Sequence, residues 1–192
     1  MRRLGPAAGM AVLLTGCGSA AETATQPQPA LSSPPVQVHR GKVGDVLTLV
    51  GADDTGSGRL RLAVKVKQVV PAATGQGAFE NPRKGERFVA ARFVLKNVGD
   101  TVYDDSPTYG AKVVDGSGHG YDPTVATVSA GTGFPRVVRL RHGQVSSGFI
   151  VFAVPKTAGV TTVRYALNAG YAEDRGEWRV PSRPASGGPH AP

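Results

Sequence analysis

The chain has 192 residues, a formal net charge of +8 and one cysteine. A single cysteine excludes an internal disulfide, and the length makes one unnecessary, because a domain of about 150 residues buries roughly 70% of the surface that its unfolded chain exposes. Both methionines, Met1 and Met10, precede Cys17, so the rest of the chain lacks the soft sulfur ligands that Cu(I) prefers.

The first seventeen residues have the pattern of an export signal. Two arginines open the segment, and an apolar run over 4–14 follows that is far too short to span a bilayer. The run ends in Leu14-Thr15-Gly16-Cys17, which resembles the lipobox of bacterial lipoproteins. The resemblance implies cleavage between Gly16 and Cys17, acylation of Cys17, and a lipid-anchored location on the extracytoplasmic face of the cell membrane. Two or three acyl chains make anchoring stable, since each buried methylene contributes about 0.8 kcal/mol.

Composition divides the chain into four segments. After the signal peptide, 1–16, residues 17–35 are small, polar and proline-rich, which predicts a flexible tether behind the lipidated cysteine. Residues 36–180 hold every aromatic residue of the chain and predict one folded domain. Residues 181–192 predict a disordered tail.

The domain segment shows the alternation of β-strands. Residues 60–67 alternate apolar with mostly basic side chains, a period of two over eight residues. Other strand candidates are 46–50, 88–98, 109–114, 137–140, 145–154, 160–167 and a last edge strand at 177–180. Glycine and proline separate them, and no window has a convincing helical period. The pattern predicts an all-β fold, an immunoglobulin-like antiparallel β-sandwich of about seven or eight strands.

The order of several short motifs indicates a family. Val43-Gly44-Asp45 precedes the first strand candidate, Lys96-Asn97-Val98-Gly99 ends a long one, and SGFIVFAVP occupies 147–155. Over 43–167 this order resembles a family of domains of unknown function that occur on bacterial surface lipoproteins and secreted antigens and have a telokin-like immunoglobulin fold. The family has no established activity or site pattern, so the resemblance implies a fold and no chemistry. The Gly/Ala/Thr-rich loops 71–83 and 121–135 suggest no ligand site.

The sequence predicts a protein without catalytic residues or a cofactor. No G-x-S-x-G elbow surrounds any serine. Of the histidines, His39 and His190 are expected in disordered ends, which leaves His119 and His142 in glycine-flanked turns. An envelope hydrolase that uses a loop serine or histidine is the alternative.

Two acidic pairs, Asp53-Asp54 and Asp104-Asp105, raise the question of calcium, which requires six to eight oxygens from converging loops. The first pair lacks the spacing and the terminal glutamate of an EF-hand, so turns are the simpler interpretation. Asp54 and Asp105 become candidate ligands only if their loops meet at one end of the sandwich.

Basic side chains form the predicted binding surface. The residues concerned are Arg61, Lys65 and Lys67 on one strand face and Arg139 and Arg141 on another. A solvated outer face is the simpler interpretation. The alternative is an anion-binding face for anionic lipid headgroups, phosphate-containing wall polymers or envelope proteins. Nucleic acid is not expected, because an exported protein does not meet it and no interleaved aromatic residues offer stacking platforms. The sequence therefore predicts a non-catalytic binding or interaction module at the cell envelope.

Overall fold

The computed structural model describes residues 37–52, 59–77, 80–172 and 174–181. The signal peptide, the tether, Cys17 and Asp54 lie outside these residues. The strands of the described part are β1 Gln37–Lys42, β2 Val46–Ala52, β3 Arg59–Ala73, β4 Glu86–Asn97, β5 Tyr103–Asp105, β6 Ala111–Asp115, β7 Gly120–Tyr121, β8 Val138–Leu140, β9 Val145–Pro155, β10 Val160–Ala166 and β11 Asp174–Arg179. One helical turn, α1 (Pro107–Gly110), and one 3-10 turn (Asn168–Gly170) complete them.

The strands form two large sheets and a small one. The five-stranded sheet has the order β1-β11-β10-β6-β7, the four-stranded sheet β2-β3-β4-β9, and β5 pairs with β8. The all-β sandwich is confirmed. The described strands outnumber the seven or eight predicted, because β1, β5 and β7 were not among the candidates; β5 and β7 have only three and two residues and carry no readable period.

Three local expectations were wrong. β11 was expected at a sheet edge, but it lies between β10 and β1, and its pairing with β1 is parallel. His39, expected in a disordered end, lies within β1, and its Nε2 is 3.4 Å from Asp174 Oδ2. Tyr109, expected in a strand, belongs to α1, where Pro107 stands at the start of the helical turn and its fixed φ favours that conformation.

The main core lies between the two large sheets. The apolar residues of β3 that alternate with the basic ones, Leu60, Leu62, Val64 and Val66, are at most 4% exposed. Burying each such side chain contributes about 1.5–3 kcal/mol. Trp178 of the opposite sheet is fully buried, and its Nε1 donates a hydrogen bond to the Asp45 carbonyl at 3.0 Å.

A second core lies on the outer side of the four-stranded sheet. Residues 123–134, here called the cover segment, pack over the ends of β4 and β9 and bury a separate cluster. The cluster consists of Phe88, Ala90, Val128, Phe149 and Val151. A side chain at Gly148 would come within 2.6 Å of the Phe134 nitrogen, so the cover segment requires a glycine there. Most of loop 121–135, in which the sequence suggested no ligand site, therefore builds part of the fold.

Candidate anion-binding face

The two central strands of the four-stranded sheet position four cations on its outer side. The register places Lys65 of β3 opposite Val94 of β4, and Ala63 opposite Lys96. Arg61 and Lys65 therefore alternate with Arg92 and Lys96 across the pair. Diagonal neighbours in an antiparallel pair lie about 7–8 Å apart, within reach of long side chains. The structure thus places these four cations on one outer face, staggered across the two strands.

Lys67 joins the same face through a β-bulge. The β3–β4 register shifts between Val66 and Gln68, so Lys67 and Gln68 together oppose Arg92. Both residues are exposed. Because the extra residue of the bulge comes after Lys65, Lys67 still points outward on the same face as Lys65, as the alternation over 60–67 predicted.

The cations of this face have no acidic partners in the described part of the chain. The basic face is defined here by Arg59, Arg61, Lys65, Lys67, Arg92 and Lys96. The ion pairs of the described residues all involve other cations. Arg92 instead holds its guanidinium 5.9 Å from the centre of the Phe149 ring. Uncompensated cations on one surface produce a local positive potential that attracts anions.

The second predicted pair of arginines is divided. Arg139 lies on β8, where Asp104 of the neighbouring strand is 3.5 Å from its guanidinium and partly neutralises it. Arg141 lies in the turn after β8. That turn is attached to the end of the basic face, because the Gly143 nitrogen donates to the Asn97 carbonyl at 2.8 Å. Arg141 is therefore placed at the Arg61 end of the sheet. Arg139 lies near the same end, since it lines a surface cleft with Val145, the partner of Lys96, but its guanidinium faces Asp104.

Arg92 and Lys96 belong to the face although the sequence did not assign them to it. The alternation of 88–98 already put both on one side of a strand. The missing information was the pairing of that strand with β3, which is a contact between distant parts of the chain.

The described domain begins beside this face. Gln37, at the start of β1, lines a cleft of about 640 Å³ together with Ala52 and Arg59. The chain therefore enters the sandwich at the end of the four-stranded sheet that carries Arg59. The described residues contain no helix long and apolar enough to cross a membrane.

Comparison with known proteins identifies the family. The family model described as "Domain of unknown function (DUF4352)" matches residues 57–175. The chain belongs to the DUF4352 family. Its fold is similar to that of MPT63, a secreted protein from Mycobacterium tuberculosis, with 20% identity, a TM-score of 0.52 and coverage of 77% of this chain and 99% of that one. The yjhA protein from Bacillus subtilis matches with 13% identity, a TM-score of 0.45 and coverage of 65% and 79%. A search of curated proteins found no match.

Asp105 of the DUF4352 domain makes hydrogen bonds that stabilise the fold. Its Oδ1 accepts a hydrogen bond from the Ser106 nitrogen at 2.7 Å, and its Oδ2 accepts one from the Ala169 nitrogen at 3.1 Å. The carboxylate thus joins β5 to the 3-10 turn. Asp54 lies outside the described residues, so its position relative to Asp105 stays untested. Across the described ranges no group of three or more His, Cys, Asp or Glu could hold a metal ion.

One turn of the DUF4352 domain contains a serine, a histidine and an aspartate, the residue types of a catalytic triad. Their hydrogen bonds are not those of a triad. The Ser117 hydroxyl donates to Asp115 Oδ1 at 2.7 Å, which is the largest cause that lowers the pKa of Asp115, to about 2. His119 reaches the same carboxylate only through its backbone nitrogen, at 3.0 Å. In a hydrolase the imidazole would lie between the serine and the acid. This arrangement stabilises a turn.

His142 also has a partner other than a serine. Its Nδ1 is 3.1 Å from the Gly99 carbonyl and 3.9 Å from Asp100 Oδ1. These contacts hold the turn after β8 against the end of the four-stranded sheet. No nucleophile takes part in them.

Proposed function

We propose that this protein is a lipid-anchored, extracytoplasmic member of the DUF4352 family whose basic face binds phosphate-bearing anionic surfaces of the cell envelope, without a catalytic role. The observation that carries the proposal is the set of cations on one sheet face that make no ion pair with any described residue. The signal peptide pattern and the lipobox ending in Cys17 support the location.

The cations of the opposite sheet differ from those of the basic face, because they share a carboxylate partner. On the five-stranded sheet, Glu177 lies within 3.5 Å of three guanidinium groups, those of Arg40, Arg164 and Arg175. The basic face has the same strand geometry and similar side chains but no such carboxylate in the described part of the chain. Its like charges repel one another, and a bound polyanion would relieve the repulsion.

The entry point of the chain favours a surface close to the anchor. Gln37 lies beside Arg59, so the predicted tether reaches the domain at one end of the basic face. A flexible chain of some twenty residues spans about 25 Å on average. Each Lys or Arg near an anionic membrane contributes about 1 kcal/mol, within a Debye length of about 8 Å. A tether of this length lets the domain come within a Debye length of the membrane surface, where several cations are attracted at once.

Vesicle binding tests the face separately from the anchor. The Cys17→Ser chain, which cannot be acylated, should sediment with vesicles that contain phosphatidylglycerol and not with vesicles of phosphatidylcholine alone. Adding Lys65→Gln and Lys96→Gln should weaken binding about 30-fold, from two contributions of about 1 kcal/mol. The matched control adds Lys42→Gln, an exposed lysine on β1 of the other sheet, and should bind nearly as the parent does. Binding independent of lipid charge would contradict the proposal.

A soluble competitor distinguishes the two sources of phosphate. If wall polymers are the partner, a poly(glycerol phosphate) chain should displace the protein from vesicles at a far lower phosphate concentration than free inorganic phosphate does. If lipid headgroups are the partner, the polymer and free phosphate should compete equally poorly.

The anchor has its own test. Mass spectrometry of the protein from the envelope fraction should find an acylated N-terminal Cys17, and Cys17→Ser should release the protein into the medium. An intact signal peptide on the wild-type protein would refute the anchoring and leave the vesicle result standing.

A further inference from the structure

A concave site lies where α1 and the 3-10 turn meet the five-stranded sheet. The cleft has a volume of about 390 Å³. Tyr109 on α1 is 65% exposed and Tyr171 after the 3-10 turn is 90% exposed, and both line it. Large aromatic side chains left in solvent beside a cleft are typical of binding sites. The site, called here the tyrosine cleft, is lined among others by Tyr109, Lys112, Arg164, Ala166, Tyr171 and Arg175.

Basic side chains outnumber acidic ones around the tyrosine cleft. Arg164 Nε lies 2.9 Å from Glu177 Oε1, and Arg175 Nε lies 3.5 Å from the same oxygen. Arg40 also pairs with Glu177, so one carboxylate is shared by three guanidinium groups. Arg175 Nε is buried and makes no hydrogen bond in the described part of the chain. Lys112 is paired with Asp122 at 2.8 Å. The side chains of Arg164 and Arg175 stay 32% and 36% exposed, so the accessible part of each guanidinium group, and not the buried Nε of Arg175, can donate to an anionic group.

The backbone that carries Tyr171 is held in place. Asn168 and Ala169 have φ of 54° and 53°, in the left-handed region that non-glycine residues rarely adopt. Asn168 donates from Nδ2 to the Ala52 carbonyl at 2.7 Å and accepts from the Ala52 nitrogen at 3.1 Å. Asp105 accepts from the Ala169 nitrogen at 3.1 Å. Such strain persists only where surrounding contacts enforce it, so the rim of the cleft is pre-organised.

We propose that the tyrosine cleft binds a sugar ring that carries a carboxylate. A tyrosine ring packs against the C–H face of a pyranose, and its hydroxyl hydrogen-bonds sugar hydroxyls. The planar guanidinium matches a carboxylate with two parallel hydrogen bonds. The volume lies at the lower end of the range for small-molecule sites. Tyrosine supplies contact area at a low cost in conformational entropy.

The charge decides between this ligand and a neutral sugar. Three cations line the cleft, and Asp122 is the one acidic residue among its lining. Glu177, behind the lining, is shared by Arg164, Arg175 and Arg40, so a positive excess remains that a neutral sugar would leave uncompensated. The cleft lies on the five-stranded sheet and the basic face on the four-stranded sheet. Tyr171 also lines the cleft that Arg59 borders, so variants of Tyr171 and Arg175 test this inference separately from the Lys65 and Lys96 variants that test the proposed function.

Titration of the full chain in detergent with two matched trisaccharides tests the proposal. Trigalacturonate carries three carboxylates, and its methyl ester has the same ring and linkage without the charge. Calorimetry should give at least tenfold tighter binding of the acid than of the ester. Equal affinities, or no binding of either at millimolar concentration, would overturn the proposal.

Variants then locate the ligand. Tyr171→Ala, at a position 90% exposed, should weaken both trisaccharides about tenfold without changing the melting temperature. Arg175→Gln should lower the affinity for the acid to that for the ester. The matched control, Arg179→Gln, removes an exposed arginine of the same strand that does not line the cleft and should change neither affinity. If Lys65→Gln with Lys96→Gln abolishes binding while the cleft variants do not, the sugar binds the basic face and the cleft assignment is wrong.

Discussion

The outer side of the four-stranded sheet has two halves that share the same strands but differ in environment. In the covered half, Phe88 of β4 and Phe149 of β9 are 5% and 6% exposed under the cover segment. In the bare half, Val145 of β9 is 56% exposed and Lys96 opposite it faces solvent. The two halves also differ in sequence, because β4 over 88–91 and β9 over 149–152 are apolar on both faces, whereas polar side chains occupy the outer face of the bare half. Residues 123–134 cover the half that is apolar on both faces and leave the other half as surface.

The difference separates residues that the fold needs from residues that it does not. Arg92 stands at the boundary, with its guanidinium over the Phe149 ring, and the other cations of the basic face lie beyond it. The covered half contributes burial. The cations of the bare half make no ion pair among the described residues, so within that part of the chain they do not contribute to stability through ion pairs. Substitutions in the two halves should therefore have opposite consequences for stability and binding.

The largest expected effect is in the covered half. Phe149→Ala should lower the free energy of unfolding by about 3–5 kcal/mol, because it removes a buried ring and leaves a cavity under the cover segment. Denaturant titration measures the change. Val145→Ala, on the same face of the same strand in the bare half, is the control and should change stability by less than about 0.5 kcal/mol. Similar losses from both would show that the cover segment does not form a core.

The next effect is at the end of the sheet where the bare half begins. Asn97 is fully buried, and its Nδ2 donates to the carbonyls of Thr101 at 2.7 Å and Leu140 at 2.9 Å. Its Oδ1 accepts from the Gly99 nitrogen at 2.9 Å. Asn97→Leu leaves these groups without their partner and should cost about 2–4 kcal/mol in denaturant titration.

A near-isosteric variant separates hydrogen bonding from shape at this position. Asn97→Asp keeps the acceptor toward Gly99 but turns an oxygen toward two carbonyls, so it should also be destabilising. Wild-type stability of the Asp variant would show that the two donated hydrogen bonds contribute little.

Asn97 also marks the limit of what the sequence predicts. The alternation of 60–67 and 88–98 predicted the strands and their two faces, because side-chain direction in a strand is a local property. The motif around Asn97 predicted only that a strand ends, since Leu140, one of its partners, is 43 residues away. The cover segment likewise has no period of its own, because its contacts are with other strands.

The candidate sites likewise differ in how far a local sequence pattern predicts them. Arg61 and Lys65 could be predicted as a pair from β3 alone. Adding Arg92 and Lys96 required the register between two strands. The tyrosine cleft could not be predicted, because Tyr109 and Tyr171 are distant in sequence and meet only through the packing of α1 against the 3-10 turn.

A smaller effect on local stability is expected at the hydrogen bonds between Glu80 and the cover segment. Glu80 accepts hydrogen bonds from the Thr127 nitrogen and the Gly77 nitrogen, both at 3.2 Å, and from the Thr127 hydroxyl. The hydroxyl bond is the largest cause that holds the pKa of Glu80 below its ordinary value of 4.5. A carboxyl with a lowered folded-state pKa stabilises above its unfolded pKa, and the contribution is lost as the pH falls through the folded value.

Amide hydrogen exchange measures this fastening. At pH 7, Glu80→Gln should speed exchange at Thr127 and Ser129, whose amides face Glu80 and Thr74. The difference between variant and wild type, compared at each pH, should shrink as the pH falls below the ordinary glutamate pKa. Exchange at Phe149, beneath the cover segment, should change less. Equal exchange of the two proteins at pH 7 would show that Glu80 does not fasten the segment.

The smallest effect on stability is expected in the bare half itself. Lys65→Gln with Lys96→Gln should change the free energy of unfolding by no more than about 0.5 kcal/mol, and in the direction of greater stability, because the two lysines are diagonal neighbours of like charge. The gain should vanish at 1 M salt, where the Debye length is about 3 Å. Arg164→Gln is the control, because it removes a guanidinium that is paired with Glu177 and should destabilise.

The same double variant is expected to lose vesicle binding. If the double variant is slightly more stable and binds vesicles more weakly, Lys65 and Lys96 contribute to binding and not to the stability of the fold. If the double variant were instead destabilised at low salt, the lysines would serve the fold, and the contrast between the two halves would no longer point to a binding face.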